Sequence, residues 1–103
     1  MKAVGEAMPR MPVHPGRILK RELAARGLSA NRLALELKVP SGRITDILNG
    51  KRGISPETAL RLARFIGNSA RFWLNLQTAY ELAVAERQDG ARIAEEVRAP
   101  SAA

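Results

Sequence analysis

Apolar side chains recur at intervals of three and four residues along most of this chain, which is the spacing of one face of an α-helix. The pattern begins at Pro15 and repeats to about residue 98. No stretch shows the sustained alternation of apolar and polar residues that is typical of a half-buried strand. The sequence therefore predicts an all-α protein.

Residues that favour helix ends divide this pattern into five predicted helices. They run from Pro15 to Gly27, over about residues 30–37, over about residues 42–48, from Pro56 to Gly67, and over about residues 70–88. Serine residues are expected at the N-cap positions, at Ser29, Ser41, Ser55 and Ser69. Gly27 is expected to close the first helix in the left-handed conformation that glycine tolerates.

A chain of 103 residues is long enough for one domain. We expect residues 1–13 to form a flexible lead-in, because they show no usable period, and Met8 is an alternative start. Residues 14–88 form the expected helical domain. From Asp89 and Gly90 onward, residues 89–103 are expected to form a short helix or a disordered tail.

The fifth predicted helix is apolar on more than one face. A terminal helix of this kind is expected to pack on its own domain with one face and on a second copy of the chain with another. The alternative is a helix that is buried on all sides, although four short neighbours could hardly surround it. The residues expected at the dimer interface are Phe72, Trp73, Leu76, Tyr80 and Val84.

Charge adds a candidate partner. The chain carries 17 Lys and Arg against 10 Asp and Glu, a net charge of +7. Residues 1–71 hold 14 basic and 5 acidic side chains, a net charge of +9, whereas residues 72–103 hold 3 and 5, a net charge of −2. The basic part of the chain favours an anionic partner such as nucleic acid. A soluble basic protein without such a partner is the alternative.

Several classes of protein are disfavoured by what the sequence lacks. With no Cys and one His, it offers no disulfide, thiol nucleophile, zinc ribbon or catalytic dyad. We therefore expect no enzyme, no metal, no cofactor and no small-molecule substrate, and a structural role for His14 near the first helix. We also expect no membrane helix and no signal peptide, so the expected location is the cytoplasm.

The second and third predicted helices have the features of a helix-turn-helix. The link over residues 38–40 is short, Ala34 is small where the two helices approach, and Val39 fills the turn. Ile44 and Ile47 would anchor the third helix from beneath. Its exposed face carries the residues expected at base edges in the major groove, Ser41, Gly42, Arg43, Thr45 and Asp46. A plain helical bundle with a polar third helix is the alternative.

Residues 12–84 resemble the HigA-type antitoxins, a branch of the phage-repressor-like (XRE) helix-turn-helix family. The resemblance begins at His14-Pro15-Gly16-Arg17-Ile18-Leu19. Two further runs are specific in combination, Asn49-Gly50-Lys51-Arg52-Gly53 and Phe72-Trp73-Leu74-Asn75-Leu76-Gln77.

The resemblance implies a five-helix, lambda-repressor-like fold and a dimer that binds a palindromic operator in its own promoter. It also implies a partner toxin, an mRNA-cleaving ribonuclease of the RelE-like class, which the chain neutralises. A stand-alone repressor without a toxin is the alternative. RNA binding is disfavoured, because the few aromatic residues lie away from the basic part of the chain.

The DNA contacts of the family can be transferred to matching positions. Ser41, Gly42 and Asp46 fall where repressors of this fold contact bases, and Arg43 and Thr45 lie beside them. Arg43 is the expected guanine contact, because its forked guanidinium can donate to two acceptors at once. The expected phosphate contacts are Ser29, Asn31, Lys38, Asn49, Lys51 and Arg52.

The sequence departs from the family at four of these positions or beside them. Ala30 stands where Gln often begins the second helix, and Lys38 stands where Gly usually occupies the turn. If the turn needs a positive φ, Lys38 costs about 1 kcal/mol, although its ammonium can face a phosphate. Gly42 offers no side chain to a base. Asp46 would repel phosphate, so it can serve only toward a cytosine amino group or in orienting Arg43 from the same helix, and the second is the expected role.

Overall fold

A computed structural model describes residues 11–101 as five α-helices joined by short loops. In chain order they are α1 (Pro15–Arg26), α2 (Ala30–Leu37), α3 (Ser41–Leu48), α4 (Pro56–Ile66) and α5 (Ala70–Glu96). No strand occurs within these residues, so the predicted all-α fold is confirmed. The flexible lead-in predicted for residues 1–13 lies, as far as residue 10, outside the described residues, and so does the alternative start at Met8.

The predicted signals for helix ends account for most of these bounds. The hydroxyl oxygens of Ser29, Ser55 and Ser69 each accept a hydrogen bond from a backbone N–H in the first turn, at 3.0, 3.2 and 3.0 Å. Gly27 and Gly67 end α1 and α4 with φ values of 64° and 93°. These caps confirm the predictions made from the same residues.

Two predicted bounds are wrong. α3 begins at Ser41 itself, and Pro40 takes the N-cap position in an extended conformation without a side-chain hydrogen bond. α5 continues through Gly90 to Glu96, beyond the predicted end at residue 88. A glycine inside a helix costs only about 1 kcal/mol, which the rest of a long helix can offset. Arg92 supports the last turns by pairing with Glu96 at 3.0 Å.

One cluster of buried apolar side chains holds all five helices together. Its members are Leu19, Leu23, Leu33, Ala34, Leu37, Ile44, Ile47, Ile54, Ala59, Leu62 and Trp73. Trp73 is the largest of them and is fully buried, and its indole N–H donates to Oδ1 of Asn68 at 3.0 Å. The burial of Trp73 therefore leaves no donor unpaired, which is the usual requirement for a buried indole.

The start of α1 lies unusually close to the end of α3. A Cβ on Gly16 would overlap the backbone carbonyl oxygen of Ile47 and stand 2.8 Å from its carbonyl carbon. Nδ1 of His14 accepts a hydrogen bond from the N–H of Gly16 at 2.9 Å, and so caps α1. The imidazole also packs edge-on against Tyr80 of α5, with ring centroids 4.9 Å apart. The structural role predicted for His14 is thus confirmed.

Replacing Gly16 with alanine is expected to destabilise the fold by about 1–3 kcal/mol, because the added methyl group meets backbone atoms of Ile47. The free energy of unfolding from urea denaturation measures the loss. Gly42→Ala is the matched control, since a Cβ at this helical glycine would meet no neighbour within 4 Å. Alanine there should be neutral or stabilise by up to about 1 kcal/mol. Equal effects of the two substitutions would contradict the close approach of α1 and α3.

The pH dependence of stability follows from the environment of His14. Burial lowers the pKa of His14 below its usual value, and a hydrogen bond with the backbone of Arg52 opposes this shift. As the pH falls, the histidine of the unfolded chain therefore takes up its proton before that of the folded chain. The stability that the neutral imidazole contributes is present above about pH 6.5 and is lost as the pH falls below that value.

Thermal unfolding between about pH 8 and pH 5 measures this loss. His14→Asn is the control, because asparagine is a good N-cap residue that does not titrate. We expect the melting temperature of the wild-type chain to fall more steeply with decreasing pH than that of His14→Asn. Parallel pH profiles of the two proteins would show that His14 does not carry the effect.

Candidate nucleic-acid interface

The turn between α2 and α3 depends on one left-handed residue. Lys38 follows α2 with φ 62° and ψ 44°, and it is the sole non-glycine residue with a positive φ in the described part of the chain. The N–H groups of Lys38 and Val39 donate to the carbonyls of Leu35 and Ala34 at 3.2 and 3.0 Å, which closes α2. The turn therefore does need the positive φ considered from the sequence, and Lys38 adopts it at a cost of about 1 kcal/mol.

α3 turns one face to the core and another to solvent. Ile44 and Ile47 are fully buried, as predicted, and anchor this helix from beneath. The residues predicted at base edges lie on its remaining surface, where Ser41, Gly42 and Thr45 are exposed and Arg43 and Asp46 are half-buried. The first turn of α3 is consequently accessible to a large partner over its polar side.

Arg43 is not oriented by Asp46, so that prediction is wrong. Nη1 of Arg43 donates instead to Oε1 of Glu57, at the start of α4, over 3.1 Å. The fold brings the first turns of α3 and α4 together, so Glu57 makes the contact with Arg43 that was predicted for Asp46. The side chain of Arg43 is 27% exposed, and its Nε is buried without a hydrogen-bond partner.

Glu57 joins Arg43 to a second arginine. Its Oε2 accepts hydrogen bonds from Nε and Nη2 of Arg61, one turn later in α4, at 3.0 and 2.9 Å. Nη1 of Arg61 donates to the backbone carbonyl of Leu37 at 2.8 Å, at the C-terminal end of α2. The hydrogen bond with Arg61, and to a smaller extent the contacts with Arg43, hold the pKa of Glu57 below its usual range. One carboxylate thus links the starts of α3 and α4, and through Arg61 the end of α2.

The basic loop over residues 49–53 folds back against α3. The N–H groups of Lys51 and Arg52 donate to the backbone carbonyl of Asp46 at 2.8 and 3.2 Å. The backbone of Arg52 also bonds to His14, which precedes α1. These contacts keep the two cationic residues of the loop beside the C-terminal end of α3.

Gln77 of α5 holds the other end of this loop. Its Oε1 accepts a hydrogen bond from the N–H of Ile54 at 2.8 Å, and its Nε2 donates to Glu81 at 2.9 Å. Gly53 permits this approach, because a Cβ there would stand 2.6 Å from Nε2 of Gln77. Gln77 has no predicted role, although it ends the run of residues 72–77, one of the two runs that carry the resemblance to the HigA-type antitoxins.

The residues predicted to contact phosphate are all exposed: Ser29, Asn31, Lys38, Asn49, Lys51 and Arg52. They lie at the start and end of α2 and directly after α3. With Arg43 they make a polar surface in which four cations outnumber the carboxylates of Asp46 and Glu57. Such a surface suits a polyanion, and the individual contacts with DNA stay predictions.

Four of the five residues predicted at a dimer interface retain exposed surface. Phe72 is 40% exposed, and Leu76, Tyr80 and Val84 are half-buried. Trp73 is the exception, because it is fully buried in the core of the single chain. Its assignment to the interface is therefore wrong, and its large side chain stabilises the domain instead.

Two further observations concern residues 11–101. Within this range no three His, Cys, Asp or Glu residues are grouped so that they could hold a metal ion. None of the described helices has both the length and the hydropathy needed to cross a membrane. The candidate functional surface is the polar side of α2, α3 and the basic loop, where Lys38, Lys51 and Arg52 are exposed.

Sequence comparison supports this choice of surface. The family model for helix-turn-helix proteins matches residues 19–73, which include α2, the turn and α3. Virulence-associated protein I of Dichelobacter nodosus is 51% identical over 76 residues, which cover 73% of this chain and 70% of that protein.

Solved structures extend the similarity to the whole fold. An addiction module antidote protein of the HigA family from Coxiella burnetii is 48% identical, with a TM-score of 0.85 over 88% of this chain and 100% of that one. The antitoxin HigA of Pseudomonas aeruginosa, solved with the higBA promoter, is 43% identical, with a TM-score of 0.84 over 85% of this chain and 97% of that one.

Proposed function

Because the chain belongs to the HigA-type antitoxins of the helix-turn-helix family, we propose that it binds an operator in its own promoter and represses its operon. The main support is the exposed polar side of α3, which two buried isoleucines hold in place. A short helix presented in this way fits the major groove of B-DNA. The similar HigA of Pseudomonas aeruginosa was solved with a promoter. Repression of this kind would act beside the chromosome, in the cytoplasm.

We assign two kinds of contact to this surface. Arg43 donates to the O6 and N7 acceptors of a guanine, and Ser41, Thr45 and Asp46 face neighbouring base edges while Gly42 lets the helix approach closely. Backbone phosphates are contacted by Ser29, Asn31, Lys38, Asn49, Lys51 and Arg52. The first kind selects the sequence, whereas the second positions the protein on any duplex.

We further propose that the chain acts as a dimer through α5. The interface comprises Phe72, Leu76, Tyr80 and Val84, without Trp73. α5 has 27 residues, about 40 Å, and carries exposed apolar side chains at Leu82 and Ile93, with the exposed Val97 directly after its end. Pairing of two such helices would bury this surface and place two copies of α3 on a palindromic operator.

Neutralisation of a RelE-like ribonuclease toxin completes the proposal. It is supported by the antitoxin and antidote functions named for the similar proteins of Pseudomonas aeruginosa and Coxiella burnetii. The second candidate is a stand-alone repressor without a toxin, which would use the same DNA surface. The two candidates differ in whether the chain has a protein partner.

Arg43→Ala is expected to weaken operator binding by about 1–3 kcal/mol and to relax the preference at one base pair, because it removes a paired donor. Lys51→Ala is expected to weaken binding to all duplexes and to lower the slope of log K against log salt by about one unit. Gel shifts with the DNA upstream of the gene, at several salt concentrations, measure both effects.

The control for these two variants is Arg92→Ala, which removes a cation that pairs with Asp89 and Glu96 near the C-terminal end of α5. It should bind the operator like the wild-type chain. A duplex with one half-site tests the dimer in the same assay and should bind more weakly than the palindrome. Unchanged binding by both Arg43→Ala and Lys51→Ala would rule out this surface as the DNA contact.

Affinity purification of the chain from its native host is expected to recover a small ribonuclease encoded beside it. Cleavage of mRNA by that protein should stop when the chain is added in excess. Specific operator binding without any recovered partner would favour the stand-alone repressor.

A further inference from the structure

The guanidinium of Arg43 has five N–H donors. Two of them are not available to DNA. One N–H of Nη1 donates to Glu57 at 3.1 Å. The N–H of Nε is buried against the protein without a hydrogen-bond partner. The donors that remain are the second N–H of Nη1 and both N–H groups of Nη2, and the outer edge of the group carries one N–H from each of these two nitrogens.

Glu57 is itself held from the other side. Its second oxygen accepts two hydrogen bonds from Arg61, whose remaining nitrogen, Nη1, is anchored on the carbonyl of Leu37. The carboxylate therefore has little freedom to follow Arg43 if that side chain moves. A long side chain that would otherwise sample many rotamers is tied to the fold at its charged end.

We propose that Glu57 is a positioning residue for base recognition, an inference that rests on the proposed operator binding. Its carboxylate holds Nη1 of Arg43, so that the outer edge of the guanidinium presents one donor from each terminal nitrogen to the acceptors of a guanine. This end-on fork leaves the contact with Glu57 intact when the base is bound. Because Arg43 already holds this rotamer before DNA is bound, its side chain loses less conformational entropy when it contacts the guanine.

Two simpler roles for Glu57 predict different results. An acidic residue in the first turn of α4 can stabilise the positive end of that helix. A carboxylate between two arginines also lowers the positive charge that faces DNA. Loss of the first role would reduce stability, and loss of the second would raise the affinity for every duplex. Only loss of positioning lowers the discrimination between base pairs while affinity for unrelated DNA is kept.

Glu57→Gln separates these roles. The amide is neutral and turns an NH2 donor toward one of the two arginines, so it weakens the hold on Arg43, yet it nearly keeps the size of the side chain. The first probe is a duplex of the DNA upstream of the gene, in which each G·C pair of the bound site is replaced singly by A·T. The second probe is an unrelated duplex. At the base pair that Arg43 contacts, we expect discrimination to fall by about tenfold in Glu57→Gln. Affinity for the unrelated duplex should stay equal or rise.

Two controls test whether Glu57 acts through Arg43. Glu22→Gln removes the same charge from the ion pair with Arg26 on α1 and should leave discrimination unchanged. In the Arg43→Ala background, Glu57→Gln should cause no further loss at that base pair, since the group that it positions is absent. Glu57→Asp keeps the charge but shortens the side chain by one methylene, and is expected to lose discrimination as Glu57→Gln does.

The outcomes distinguish this inference from the function on which it rests. A wild-type chain that does not prefer its own operator to the unrelated duplex would reject both. If the wild-type chain has that preference and Glu57→Gln retains its full discrimination, the positioning role is wrong and the DNA-binding function stands. An equal loss in the Arg43→Ala background, or an equal loss of affinity for both duplexes, would likewise overturn the positioning role.

Discussion

The placement of α3 depends on the burial of Ile44 and Ile47 against the rest of the core. A helix of eight residues is not stable by itself in water, so its existence and its orientation come from packing rather than from helix propensity. The close approach of Gly16 to the carbonyl of Ile47 extends that constraint to the backbone. Everything proposed for the exposed side of α3 follows from this anchorage, because a helix that could roll or shift would present no constant pattern of donors.

Local signals in the sequence were enough to predict the helices and the two sides of α3. Apolar spacing identified the buried positions, and Ser29, Ser55 and Ser69 marked helix starts, because N-caps depend on neighbours only a few residues away. The end of α5 could not be predicted from such local signals. Gly90 is a weak breaker of a helix, and a continuous hydrogen-bonded ladder on both sides of it outweighs the local cost.

Local signals could not predict contacts between residues that are far apart in the sequence. The spacing of Arg43 and Asp46 permits a pair along one helix, and nothing in the sequence says that the fold brings Glu57 to the same guanidinium. The i, i+4 spacing of Glu57 and Arg61 was visible, but it describes only half of the network. For Trp73, apolar character could not separate an interface from a core, because both environments favour a large aromatic side chain.

α5 connects the two surfaces of the proposed function. Its Tyr80 packs on His14, which caps α1 and bonds to the backbone of Arg52, and Gln77, one turn earlier, holds Ile54 at the end of the basic loop. The helix that would join two copies of the chain therefore also supports the loop that carries Lys51 and Arg52. In such a dimer, α5 and the basic loop would move together, because these contacts join them directly. The distance between the two DNA-binding surfaces would therefore be set by the folded domain and its dimer interface before the operator is bound.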